Sequence, residues 1–119
     1  VLTQTIDEIG SRDLIDSSFI ASDEQSIILV KQILPELAVC NLSKQPKETY
    51  FARSLSYGCE ILQPGHSQVD EAFVSEAHQH GLEVNPFYAD EAGEMRRLIE
   101  AGVDGILTNH PDLLQSVQQ

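Results

Sequence analysis

Five short apolar runs return along this chain at an almost constant interval. They are Leu14–Phe19 (LIDSSF), Leu37–Leu42 (LAVCNL), Glu60–Gln63 (EILQ), Leu82–Phe87 (LEVNPF) and Asp104–Asn109 (DGILTN), with starts 23, 23, 22 and 22 residues apart. Each is four to six residues long, the length of a buried parallel strand, and the intervals read as amphipathic helices. Strand–helix alternation of this kind means parallel strands joined by right-handed crossovers. Uniform steps favour a segment of a closed barrel, because each unit then makes the same move around the ring. An open doubly wound sheet must reverse its strand order, and no long connection marks such a point. A whole barrel takes about 250 residues and eight strands. The expected architecture for 119 residues is therefore α/β, a partial (β/α)₈ TIM barrel of about five parallel strands, occupying residues 1–119. An unrelated open α/β fold that binds a small ligand is the rival, and it lacks a visible glycine-rich phosphate loop.

The helix punctuation agrees with this spacing. Ser22 can cap a helix with Gln25 as its capping-box partner, with Ile27, Val30 and Leu34 on one face and Pro35 as the stop. Pro46 suits the first turn of the next helix. Ser67 can cap a third, with Asp70 and Glu71 in its first turn and Phe73, Val74 and Ala77 inward. Asp90 can cap a fourth that turns Met95, Leu98 and Ile99 inward. Gly58, Gly81 and Gly102 stand where a left-handed residue closes a helix. Residues 1–10 read as the end of one further helix and 112–118 as the start of another.

Seven basic against nineteen acidic residues give a formal net charge of −12. That weighs against nucleic acid or an anionic membrane, both of which select a basic footprint. No apolar run reaches the roughly 20 residues that span a bilayer. Cys40 and Cys59 have no metal-ligand spacing and make no disulfide scaffold. A reducing compartment is compatible, and a cytoplasmic location is the expectation. The first residue is Val1 rather than Met, so the expectation is a processed product or a piece of a longer protein.

Residues 80–90 (HGLEVNPFYAD) and 94–114 (EMRRLIEAGVDGILTNHPDLL) carry a specific signature. Together with His78 they resemble the last two units of the glycerophosphodiester phosphodiesterase family, whose pattern reads H-x-x-G-x-x-V-x-x-W-T-V-N…M-x-x-L-I-x-x-G-V-D-G-I-x-T-D-x-P. Ser18-Phe19, at the expected end of the first strand, also resembles a family feature. The resemblance is close over residues 78–114. It implies a TIM barrel and metal-dependent cleavage of glycerophosphodiesters to glycerol 3-phosphate and an alcohol. Phe87-Tyr88 stands where the family has Trp-Thr, and Thr108-Asn109 where it has Thr-Asp.

The family's chemistry, as the resemblance implies, uses His-Arg-Gly at the first strand, Glu-x-Asp and a following histidine at the second, and Glu-x-Lys at the third. None of these three motifs occurs in the 119 residues. By that map the strands here are the family's fourth to eighth. Attack on a phosphodiester needs a metal or a cationic clamp, with a placed proton donor and acceptor. Lys31, Arg96 and Arg97 read as helical and remote from any strand end. No turnover is expected from this polypeptide alone, and no metal is expected on it, although Mg²⁺ or Ca²⁺ is implied for the full-length family.

In such barrels the active face forms at the C-terminal strand ends. Phe19 and Phe87 are therefore the expected substrate-binding residues, facing the apolar part of the alcohol. No catalytic residue and no metal ligand is assigned on this chain. His66 reads as a solvated loop histidine, and His110 follows the last strand without matching a family position. His78 and His80 have a metal-like spacing, but i and i+2 do not share a helix face. The acidic residues Asp7, Glu8, Asp23, Glu24, Asp70, Glu71, Glu91 and Glu94 read as a solvated outer face, while Asp16 and Asp104 read as structural. The expected partner is a missing N-terminal half-barrel, which would make a glycerophosphodiester the substrate of the complete enzyme. The alternative is a non-catalytic oligomeric half-barrel module, self-associating through open edges at Leu14–Phe19 and Gly105–Thr108.

Overall fold

A computed structural model of the protein describes residues 1–42 and 47–119, with the backbone alone at residues 47 and 48. The expected helix-starting Pro46 and strand-closing Ser43 lie outside the described residues. The chain divides into two compact units, Val1–Ile61 and Leu62–Gln119.

The first unit holds α1 (Leu2–Ser11), β1 (Phe19–Ser22), α2 (Glu24–Ile33), β2 (Ala38–Asn41) and α3 (Lys47–Ser56). β1 and β2 run parallel, with Phe19 opposite Ala38 and Ser22 opposite Asn41. Ile6, Ile27, Val30, Leu37, Val39 and Cys59 make its core. Ile27 and Val30 are three apart on α2, so the helical period alone puts both on the strands. Two expectations are corrected here. The strand begins five residues later than the apolar run. Asp13 takes a φ of 57° and Ile15–Ser17 form a 3₁₀ turn, in which the Ser17 hydroxyl donates to the Leu14 carbonyl at 3.3 Å. Local bonds of this kind draw serine and aspartate out of a ladder. The cap of α2 is Asp23, whose carboxylate accepts the Ser26 N–H at 2.8 Å, not Ser22. Ser22 is spent as the last residue of β1.

The second unit holds α4 (Glu71–Gln79), β4 (Glu83–Val84), α5 (Ala92–Ala101) and α6 (Pro111–Gln118), while β3 (Ile61–Leu62) spans the boundary. Phe73, Val74, Ala77, Leu82, Val84, Met95 and Leu98 are among its buried residues. Asp70 caps α4 by accepting the Phe73 N–H at 2.7 Å. Ser67, the expected cap, is taken up in a 3₁₀ turn, His66–Gln68. Gly102 closes α5 at φ 93°, where an added Cβ would also stand 3.6 Å from Val74 Cγ1. The fifth run forms no assigned strand. It still follows β4: the Asp104 N–H donates to Val84 O at 2.9 Å and the Leu107 N–H to Pro86 O at 3.0 Å. Pro86 has no N–H to return, and the Leu107 carbonyl accepts instead from the Ala89 N–H at 3.2 Å.

Strand order is sequential, β1-β2-β3-β4, as a barrel segment requires and a reversing sheet does not. Strand entry is fixed twice by the same device. Glu60 donates its N–H to Val39 O at 3.3 Å and accepts the Val39 N–H on Oε2 at 2.9 Å. Asp104 donates to Val84 O and accepts the Val84 N–H on Oδ2 at 2.8 Å. Each acid meets a basic side chain from the last turn of a helix: Lys31 Nζ at 2.5 Å from Glu60, and His78 Nε2 at 2.9 Å from Asp104.

Candidate functional site

The loops leaving β3 and β4 lie at the C-terminal strand ends and meet each other in the second unit. Gly65 bridges to Phe87 in parallel fashion. The Phe87 N–H donates to Pro64 O at 3.0 Å and the His66 N–H to Phe87 O at 2.8 Å. The sheet thus continues past its assigned strands and carries both loops upward together. Beside them lies a cleft of about 290 Å³ lined by His66, Tyr88, Asp90, Glu91 and Glu94.

Two hydrogen-bonded groups form its walls. On one side, His66 Nδ1 lies 2.8 Å from Glu94 Oε1. Arg97 reaches the same oxygen with Nη2 at 2.5 Å and spans to the carbonyls of His66 and Val69 at 2.8 and 2.5 Å. Hydrogen bonds from Arg97 and then His66 hold the Glu94 carboxyl down at about 2. An ionised carboxylate can only accept, so Nδ1 carries the proton that joins them. Nε2 is then the nitrogen that can exchange a proton or accept a bond. On the other side, Asp90 Oδ1 accepts the Asn109 N–H and the Thr108 hydroxyl, both at 2.8 Å, and Oδ2 accepts Asn109 Nδ2 at 2.9 Å. These bonds, the Asn109 backbone first, hold Asp90 at about 2 as well. Tyr88, two residues before Asp90, is exposed, its ring edge-on to half-buried Phe87 at 5.7 Å.

Several expectations change on this geometry. Phe19 opens β1 instead of closing it, because the strand is displaced, so it stands at the N-terminal strand end, 53% exposed. Phe87 keeps its place beyond the C-terminal end of β4. Arg97 is not remote: its long side chain crosses from mid-helix to the loop after β3. Glu94 belongs to that group instead of a solvated outer face, and His66 has a partner. Asp90 does not cap α5, whose N-cap is Glu91 without a side-chain bond; its carboxylate is committed to Thr108 and Asn109. Lys31 serves Glu60 and the carbonyls of Pro35 and Leu37 at the opposite strand ends. His78 meets Asp104 and His80 meets the Glu76 carbonyl at 2.9 Å, so they share no target. His110 is an exposed residue preceding α6. Among the described residues, no three His, Cys, Asp or Glu side chains are disposed to hold one cation. The missed pair Glu94 and Arg97 carried one signal, an i,i+3 spacing of opposite charges. Nothing local announced their link to His66.

Comparison with known proteins gives a consistent result. The sequence profile of the glycerophosphoryl diester phosphodiesterase family matches residues 2–113. A glycerophosphodiester phosphodiesterase of Bacillus subtilis is 32% identical over 56 residues, covering 47% of this chain and 19% of its own. One from Caldanaerobacter subterraneus is 29% identical over 85 residues, covering 71% of this chain and 35% of its own. The crystal structure of a glycerophosphodiester phosphodiesterase from Parabacteroides distasonis superposes with a TM-score of 0.82 over 98% of this chain and 49% of that one, at 17% identity. The fold is that of part of a TIM barrel. The chain spans well under half the length of the curated relatives it matches.

Proposed function

This chain belongs to the glycerophosphoryl diester phosphodiesterase family, and on that premise we propose that it forms the C-terminal, substrate-facing part of a phosphoric diester hydrolase. The reaction is cleavage of a glycerophosphodiester to glycerol 3-phosphate and an alcohol. The observation that carries this reading is the cleft beyond β3 and β4, where Tyr88, its ring edge-on to Phe87 behind it, stands beside His66. Phe87 contacts the apolar part of the alcohol; Phe19, at the other strand end, is released from that role. The acid–base histidines and the Mg²⁺ or Ca²⁺ ligands come from outside these 119 residues, since His-Arg-Gly, Glu-x-Asp and Glu-x-Lys are absent from them. The polypeptide alone is inactive.

The test is complementation. This chain, a polypeptide carrying the three missing motifs, and their mixture are each given glycerophosphocholine with Mg²⁺ or Ca²⁺. Release of glycerol 3-phosphate by the mixture alone is the expected result. Turnover by this chain alone, or an inert mixture that nevertheless binds the metal, overturns the proposal.

A second reading, a self-associating module without catalysis, draws on one observation. Among the described residues β1 pairs only with β2, and its first residue, Phe19, is exposed. An unpaired strand edge with an exposed aromatic is a template for association. Light scattering decides it: a monomer persisting at high concentration removes this reading.

A further inference from the structure

One guanidinium organises the loop that leaves β3. Arg97 donates to the carbonyls of His66 and Val69 at 2.8 and 2.5 Å, so it grips the 3₁₀ turn at both ends. The same side chain meets Glu94 Oε1 with Nε at 3.2 Å and with Nη2 at 2.5 Å. That oxygen also faces His66 Nδ1 at 2.8 Å. The imidazole is thus held through its main chain and through its ring by two neighbours on one helix, α5. A planar guanidinium with its donors in a fixed fork suits that task. Glu94 stays ionised with its carboxyl held at about 2, so it only accepts. In the neutral ring the proton therefore sits on Nδ1 and Nε2 keeps a lone pair. Among the described residues nothing bonds that Nε2.

We infer, on the diester-hydrolase reading above, that His66 Nε2 is the acceptor by which the cleft holds a hydrogen-bond donor on the substrate's alcohol, a hydroxyl or a primary ammonium, with Glu94 and Arg97 as its positioning residues. The rest of the lining agrees with a donor-bearing occupant. Both Asp90 oxygens are already committed to Thr108 and Asn109, and Glu94 Oε1 to Arg97 and His66. Together with Glu91 these carboxylates give the cleft a negative field, which turns a phosphate away. A phosphate diester also offers only acceptors, and a bare Nε2 cannot bond them. The alcohol end of the substrate suits both features. Charge alone draws in any cation, whereas Nε2 selects one that has a proton to share. Trimethylammonium has none and a primary ammonium has three, so the two separate the acceptor from simple attraction.

The parent chain is compared with Glu94→Gln and His66→Ala. At about pH 8, above the range in which an ordinary imidazole titrates, nitrogen NMR of the His66 ring reads its tautomer. The parent holds the proton on Nδ1 and leaves Nε2 bare. Glu94→Gln gives a mixture of tautomers, because an amide can donate as well as accept. Simple loss of packing has no such signature. Four glycerophosphodiesters are then titrated into each chain without metal. Ethanolamine and choline esters form a cationic pair, glycerol and 1-propanol esters a neutral one. Within each pair the donor-bearing member shifts Nε2 and binds about fivefold more tightly, the worth of one hydrogen bond. Both variants lose that difference, and His66→Ala carries the comparison if Glu94→Gln does not fold. A proton on Nε2 of the parent, equal affinity within either pair, choline bound more tightly than ethanolamine, or no binding at all overturns the acceptor. An inert complementation mixture beside the expected tautomer and selectivity overturns the hydrolase reading and leaves the acceptor standing.

Discussion

Glu94 accepts from a guanidinium and an imidazole at one oxygen, and its carboxyl is held near 2 in consequence. Asp90 is held equally low by three donors from Thr108 and Asn109. The native state thus binds their protons less readily than the unfolded chain, whose carboxyls titrate at about 4. Their contribution to stability is complete above that range and is lost as pH falls through about 2. Urea unfolding from pH 7 to pH 2 should show this acid limb, and Glu94→Gln should shrink it while costing about 1 kcal/mol at neutral pH. Gly102→Ala forces a side chain into φ 93° and should cost about 1 kcal/mol or more, read from the same curves. Sequence reading placed Gly102 correctly, because a helix end is a local matter. It left His66 unpartnered and Arg97 remote from the loops, because Glu94 lies 28 residues from His66, and the Val69 and His66 carbonyls lie 28 and 31 residues from Arg97.

At the scale of elements, apolar periodicity together with proline and glycine punctuation located the six helices among the described residues, and three glycines marked ends with φ of 73°, 75° and 93°. The caps were misplaced because two candidates stood close together each time, and only backbone direction chooses between them. Ser22 lost to Asp23 and Ser67 to Asp70. Asp23→Ala and Asp70→Ala should each lower stability by about 1 kcal/mol, measured by denaturant midpoint. Ser22→Ala and Ser67→Ala should fall within about 0.5 kcal/mol of the parent, as ordinary surface changes do. The first strand was the harder element. LIDSSF reads as an apolar run, yet Asp16, Ser17 and Ser18 favour turns, and FIAS makes the ladder instead. Since the substrate-binding expectation for Phe19 rested on that register, it moved with the strand.

For the molecule as a whole, the 22–23-residue interval was enough to give the sequential parallel order. It could not say what lies against β1, since an edge has no partner in its own sequence. A net charge of −12 opposes any approach of like chains. If copies associate through Phe19 and the β1 edge, added salt should strengthen the contact by screening that repulsion. Sedimentation at about 0.05 M and 0.5 M NaCl, with Phe19→Lys as the control, should then show mass rising with salt only in the parent chain.

The paired acids Glu60 and Asp104 bear on how such a chain avoids misthreading. Each returns a bond to the very residue from which its main chain takes one, Val39 or Val84. A slip of one position would swing the carboxylate to the wrong face and strand an anion among apolar groups. Correct alignment is thereby rewarded, and near misses penalised, at the first rung to close. Repeated forty-four residues apart, this local proofreading lets each βα unit find its own alignment before its neighbours are complete.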